Sequence, residues 1–377
     1  MRLFIAAGIF HPESGGPATY LYHLLPALQS RGFDVRVLTF GDAPTAGYPY
    51  PLKRIPRRAL PVRFLDYARA AWPEQRRADL VYINSLGLPM IGGANKPRVL
   101  KVVGDLAWER AVNKGWIPPT EDIDTFQIKR YAPRVQMLKT SRAREVQRVD
   151  RVIVPSGYLR DMVIGWGASP DRVDVIYNAL SPGARAGDLS QPDARAALVL
   201  DAGPLLLTVA RLVAWKGIDH LIRAVAGLPD VRLLVAGDGP DDARLRALVD
   251  REGAADRVQF LGRVPRDTMA LYFRAADYTA LYSGYEGLSH VLIESLLAGT
   301  PVIASDKGGN PEVVRHGENG LLVPYPDPAA LAETIRAAFA VDTRAQLAAG
   351  TQEGLDRFDW ESLVAQTVDV LERVCTS

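Results

Sequence analysis

Two glutamates, Glu286 and Glu294, stand with seven residues between them in the run Tyr285-Glu286-Gly287-Leu288-Ser289-His290-Val291-Leu292-Ile293-Glu294. The run reads as a glycine-containing loop followed by the first turns of an apolar helix. A glutamate held in the loop can accept hydrogen bonds from sugar hydroxyls. One two turns into the helix can reach a ribose, and the helix N-terminus between them offers free N–H groups to a diphosphate. This spacing suits the handling of a nucleotide sugar. A second candidate group is cationic: Arg211 and Lys216 in Val209-Ala210-Arg211-Leu212-Val213-Ala214-Trp215-Lys216-Gly217 follow a strand-like run. Two cations fixed there can neutralise a diphosphate as its charge rises on loss of the sugar. Taken alone, each group also reads as ordinary surface charge at a helix start.

Together with Val235-Ala236-Gly237-Asp238-Gly239-Pro240 and the early loop His11-Pro12-Glu13-Ser14-Gly15-Gly16-Pro17-Ala18-Thr19-Tyr20, these segments resemble family 4 of the retaining glycosyltransferases, over nearly the whole chain. The glutamate pair is close to that family's E-x7-E pattern. The resemblance implies a GT-B fold: α/β, two doubly wound Rossmann-like domains facing across a cleft. It implies that Glu286 holds the donor sugar's hydroxyls and that Glu294 accepts from both ribose hydroxyls. The N–H groups of Ser289 and His290, in the loop with Gly287 and Leu288, would face the donor sugar and phosphate. Arg211 and Lys216 would hold the diphosphate, and the base would lie near Gly262 and Val264 in Phe260-Leu261-Gly262-Arg263-Val264. Gly15 and Gly16 resemble the loop that approaches the donor phosphate and the acceptor. In many relatives a His-Asp pair follows an N-domain strand, whereas this chain has Gly104-Asp105. Asp105 then has two readings, a catalytic group on the acceptor side or a cap on the next turn.

The chemistry implied is transfer from a UDP- or GDP-sugar to an acceptor hydroxyl with retained anomeric configuration. It needs no metal and no cofactor beyond the donor, and it serves synthesis of a glycan, glycolipid or glycoconjugate. Glu286, Arg211, Lys216 and Asp105 are the candidate catalytic residues. A sugar-nucleotide epimerase of the same fold and a non-catalytic sugar-nucleotide-binding protein stay open beside it. A dinucleotide-binding turn does not fit, because Gly8, Gly15 and Gly16 lack the G-x-G-x-x-G spacing. The five histidines form no cluster in sequence, and the single cysteine, Cys375, allows neither an internal disulfide nor a thiolate zinc site.

The elements that must place these groups alternate strand-like runs with helix-period segments, the pattern of parallel sheets built by crossover units. At 377 residues the chain is long enough for two cores. Strands are expected at 3–7, 35–40, 80–84, 99–103, 152–155 and 173–177, and again at 205–209, 232–236, 258–261, 278–281 and 302–304. The boundaries that follow are an acceptor-side domain over 1–180, a linker over 181–200 and a nucleotide-sugar domain over 201–358. The final helix, 360–374, is similar to the GT-B helix that returns to the first domain. Pro133 should interrupt the helical region from Phe126 to Arg148.

Net charge is +2, but residues 1–180 hold 26 Lys and Arg against 16 Asp and Glu, and the remainder is correspondingly acidic. The basic half, with Lys129, Arg130, Arg134, Lys139, Arg142, Arg144 and Arg148 in one region, reads either as a solvated surface or as a contact for anionic lipid or an acidic acceptor. The acceptor expected is a glycan, a lipid-linked sugar or a small molecule, with no role for nucleic acid. No run approaches the ~20 apolar residues of a membrane span, and the apolar N-terminal run is too short for a signal peptide. The expectation is a cytoplasmic protein with peripheral contact at the inner membrane surface.

Overall fold

The computed structural model describes residues 1–13, 15–90, 95–180, 189–340 and 343–376. Two compact units divide the chain. The first comprises Met1–Ile117, Phe126–Tyr177 and Trp360–Ser377; the second comprises Pro118–Thr125 and Asn178–Asp359. Residues 181–188 of the expected linker lie outside the described residues, and the helix Gln191–Ala197 belongs to the second unit.

Seven parallel strands form the first sheet: β1 (Arg2–Ala6), β2 (Asp34–Phe40), β3 (Leu52–Ile55), β4 (Leu80–Ile83), β5 (Arg98–Lys101), β6 (Arg151–Val154) and β7 (Val173–Val175). Their order is β3-β2-β1-β4-β5-β6-β7. The second sheet holds β8 (Leu205–Val209), β9 (Arg232–Ala236), β10 (Val258–Gly262), β11 (Tyr278–Leu281), β12 (Val302–Ser305) and β13 (Gly320–Val323), in the order β10-β9-β8-β11-β12-β13. Both orders reverse beside the first strand of the sheet, the doubly wound arrangement whose switch point opens a crevice at the strand carboxyl ends. β3 and β13 are edge strands that the sequence pattern did not mark.

Alternation sorts each central strand between two covered faces. Leu206, Leu233 and Val235 enter one core with Leu221, Ile222, Leu245 and Leu248. Leu205, Leu207, Leu234 and Ala236 enter the other with Met269, Phe273 and Ala298. In the first unit, α1 (Gly16–Ser30) buries Leu21, Leu24, Leu25 and Leu28, spaced to form one helix face. Next come α2 (Leu60–Arg77), α3 (Leu106–Asn113), α4 (Ile123–Ile128), whose first three residues fall in the second unit, and α5 (Pro133–Gln147). Pro133 occupies the first turn of α5, where its missing N–H costs nothing, so the break falls between α4 and α5.

One buried basic group in this unit has no ion partner among the described residues. Lys101, at the end of β5, is 2% exposed, and its Nζ makes no hydrogen bond among the described residues. The Nζ lies 4.1 Å from the centroid of the Tyr20 ring. Burial pulls its pKa down to about 7. Because the folded value lies below the unfolded one of about 10.4, the unfolded chain binds the proton more tightly, so this group's contribution to stability rises with pH across that window. Lys101→Met should therefore raise the melting temperature at pH 7 and flatten the rise in stability between pH ~7 and ~10. Unfolding followed by circular dichroism across that range checks it; an unchanged slope would contradict the assignment.

Candidate functional site

In the second sheet, the loops leaving β9, β8, β11 and β12 lie side by side and are joined through their backbones. Leu212 N–H donates to the Asp238 carbonyl at 2.9 Å, Gly284 N–H to Trp215 at 2.8 Å, and Gly309 N–H to Glu286 at 2.9 Å. All three junctions are closer than any side chain allows; between the loops after β9 and β8, a Cβ on Gly237 would sit 1.9 Å from the Ala210 carbonyl oxygen. Gly217 has φ +62, and a Cβ there would sit 1.9 Å from the Tyr282 carbonyl oxygen. Gly308 has φ +61, and its Cβ would sit 2.2 Å from the Glu286 carbonyl oxygen. Both positions need glycine on conformational and steric grounds. Behind them Asn310, fully buried, donates from Nδ2 to the Ser305 hydroxyl at 3.0 Å and its carbonyl at 3.3 Å.

On this shelf the structure brings Lys216 and Glu286 together, with Nζ 2.5 Å from Oε1 and both side chains mostly buried. They are 70 residues apart in sequence. Arg211, exposed, forms no ion pair or side-chain hydrogen bond among the described residues. Glu294 makes no side-chain hydrogen bond or close ion pair among the described residues, and burial raises its pKa while the charge of Arg266 opposes the rise. It projects from the helix His290–Leu297, whose N-cap Ser289 accepts the Leu292 N–H at 3.4 Å. Gly287 and Leu288 lead into that cap, and the Leu288 carbonyl accepts from Asn178 Nδ2 at 3.5 Å. The carbonyl of Gly262 accepts the Gly237 N–H at 2.8 Å, while Val264 packs on the core beside Leu261. The arrangement therefore offers a paired cation and carboxylate, a second cation, a second carboxylate and a helix N-terminus. Those are the groups that a diphosphate flanked by two polyhydroxyl rings would use.

The remaining sequence candidates lie in the first unit. Gly15, at φ +147, caps α1, its carbonyl accepting from Ala18 and Thr19 at 3.1 Å, and Gly16 opens the helix with open space where a Cβ would lie. Asp105 takes the second of its two readings. It is fully buried and caps α3, with Oδ1 accepting from Ala107 N–H at 3.0 Å and Trp108 N–H at 3.1 Å. Its Oδ2 accepts from Gln127 at 3.0 Å and from the Arg142 guanidinium. With both oxygens engaged, its geometry is that of a structural anchor, and the catalytic reading of Asp105 has no support in its placement. Arg142 and Lys139, counted in sequence among surface cations, are internal ties. Lys139 Nζ donates to the carbonyls of Phe126, Gln127 and Lys129 at 2.7, 3.1 and 2.9 Å.

Lys307-Gly308-Gly309-Asn310, after β12, is a part of the shelf that the sequence motifs did not include. Within the second unit Lys307 also pairs with Asp122 at 3.6 Å and Asp124 at 4.0 Å, which ties segment 118–125 to the shelf. The adjacent glycines after a strand were the available signal. Among the described residues no three His, Cys, Asp or Glu side chains are grouped to hold a metal ion.

Residues 14–183 match the family model described as Glycosyltransferase Family 4, and residues 190–352 match Glycosyl transferases group 1. A D-inositol 3-phosphate glycosyltransferase of Acidothermus cellulolyticus is 30% identical across 93% of this chain and 84% of its own length. Sucrose-phosphate synthase from Thermosynechococcus elongatus has a similar structure, with TM-score 0.80 and 25% identity over 99% of both chains. Anabaena HepE, solved with UDP-glucose, gives TM-score 0.79 at 22% identity over 99% of this chain and 100% of its own.

The glycine junction generates a test. Gly317, at φ +80 with open space around it, measures the conformational cost of a left-handed alanine by itself, about 1 kcal/mol. Gly308→Ala should cost at least ~2 kcal/mol more than Gly317→Ala in denaturant unfolding, because a carbonyl oxygen must move as well. Equal costs would mean that the junction yields freely.

Proposed function

Because the chain belongs to the GT-B glycosyltransferases of group 1, family 4 type, we propose that it moves a hexose or related sugar from a UDP- or GDP-sugar to an acceptor hydroxyl. Anomeric configuration is retained and no metal ion takes part. The observation that carries this reading is the Lys216–Glu286 pair at 2.5 Å, set on one shelf of strand ends beside Arg211 and Glu294, neither of them in a side-chain hydrogen bond or close ion pair among the described residues.

An arriving diphosphate competes for Lys216 and releases Glu286 to accept from hydroxyls of the transferred sugar. Arg211 adds the second positive charge, and Glu294 takes the ribose. The bond from the anomeric carbon to the phosphate oxygen breaks while the bond to the acceptor oxygen forms on the same face. The acceptor's proton passes to the departing phosphate, so no separate base is required. The protein contributes position and fixed charge, in line with electrostatic stabilisation where charge develops. Two lysine and arginine cations do here what a divalent ion does at other diphosphate sites. UDP is the first nucleotide to try, given the UDP-glucose bound to HepE. The acceptor is a glycan, a lipid-linked sugar or a small molecule, encountered in the cytoplasm near the inner face of a membrane.

Two substitutions separate the roles of the glutamates. Glu294→Gln should weaken binding of free nucleotide and nucleotide sugar alike, whereas Glu286→Gln should spare the nucleotide and weaken the sugar conjugate. Titration calorimetry reads both, and the reverse pattern would exchange or discard the two roles. Arg211→Ala should lower turnover by roughly two to three orders of magnitude with little change in stability. Turnover should persist in excess chelator; loss on chelation with recovery on adding a divalent ion would refute the metal-free reading.

A further inference from the structure

The outer face of α2 combines two properties that soluble helices normally keep apart. Its inner face buries Tyr67, Ala68, Ala70, Ala71 and Gln75. On the other side Val62, Leu65 and Trp72 are 46–49% exposed, and Leu60 beside them is 46% exposed. The exposed positions Val62, Leu65, Arg69, Trp72 and Arg76 follow one another at steps of three and four residues. That spacing sets them in a single stripe, about 21 Å from end to end.

The stripe is basic as well as apolar. Of the two acids on α2, Asp66 pairs with Arg58 at 3.9 Å and Glu74 with Arg36 and Arg77 at 3.8 and 4.0 Å. Arg69 and Arg76 have no acidic partner among the described residues. A solvated helix face would keep the arginines and drop the tryptophan and leucine. A protein interface would favour a compact apolar centre with charge at its rim. Interleaved arginine and large apolar side chains along one exposed helix match a layer where acyl chains and anionic headgroups alternate over a few ångströms.

We propose that α2 is a membrane-docking element. It lies in the plane of an anionic bilayer surface, with Leu65 and Trp72 entering the headgroup boundary and Arg69 and Arg76 on lipid phosphates. The inference deepens the reading of an acceptor met near the inner membrane face and is independent of the transfer chemistry. It also moves the basic contact away from the Lys129–Arg148 region, where Lys139 and Arg142 are spent on internal bonds.

The test is co-sedimentation of the full chain with phosphatidylglycerol/phosphatidylcholine vesicles and with phosphatidylcholine alone, at low and high salt. Donor calorimetry on every variant serves as the control. The wild type should bind the anionic vesicles, less at high salt. Arg69→Glu/Arg76→Glu and Leu65→Ser/Trp72→Ser should each weaken binding about tenfold or more while leaving nucleotide affinity unchanged. Vesicle binding should also blue-shift the emission of the wild type more than that of Trp72→Phe.

No binding to anionic vesicles, or binding lost on Arg130→Glu/Arg144→Glu and kept by both α2 pairs, would overturn the proposal. So would loss with the arginine pair alone and no Trp72-dependent spectral change, the signature of a purely electrostatic contact such as an acidic protein. Intact nucleotide binding in any of those cases leaves the transferase reading standing.

Discussion

The second unit depends on carbonyl oxygens of one strand-end loop lying where the Cβ of the next would be. At Gly217 and Gly308 that separation is 1.9 and 2.2 Å, so the loops after β8, β11 and β12 can join only through residues without side chains. Their joining fixes the distance between Lys216 and Glu286, which belong to neighbouring loops. A site assembled this way is held by backbone, and its side chains are free to exchange partners. That suits a pair that must open when a diphosphate arrives. Preorganisation of the main chain, rather than rigidity of the lysine, is what limits the reorganisation on binding.

The first unit treats buried charge in two contrasting ways. Asp105 and Arg142 are removed from solvent as a pair, with Gln127 and the α3 backbone making further hydrogen bonds to them. Breaking such a pair on one side leaves an uncompensated charge, so the network holds α3 and α5 to each other. Lys101 has no ion partner among the described residues and is pushed towards neutrality by burial, with its Nζ over the face of Tyr20. The same unit carries its unpaired basic and apolar groups outward on α2. Its positive balance thus divides between internal ties and an exposed stripe, a division that net charge alone does not reveal.

Much of the fold was legible in the sequence because β-branched and leucine-rich runs bounded by glycine mark buried parallel strands. β8, β9 and β11 coincide with their expected limits. β3 was missed since Leu52–Ile55 carries Lys53 and Arg54 between prolines, a composition tolerated only at a sheet edge. β13 was missed because Gly320 opens it. The residues of the shelf could be named from their motifs, but the 2.5 Å contact across 70 residues could not, nor the pairing of Lys307 with segment 118–125. Asp105 illustrates the limit: a carboxylate at a strand end is the same letter whether it faces a substrate or caps a helix. Only the positions of Arg142 and Gln127 decide between them.

The account rests on the shelf being a nucleoside diphosphate sugar site in the folded protein. A ligand that binds only the native state raises its melting temperature by mass action. The most direct measurement is therefore thermal unfolding of the wild-type chain in UDP, GDP and their hexose conjugates, with the matching nucleoside monophosphates and free sugars alongside. The account predicts a rise that grows with concentration for one diphosphate series and its sugar conjugate, and little for the monophosphate or the sugar alone. An unchanged melting temperature with every nucleoside diphosphate, at concentrations well above those of cells, would contradict it.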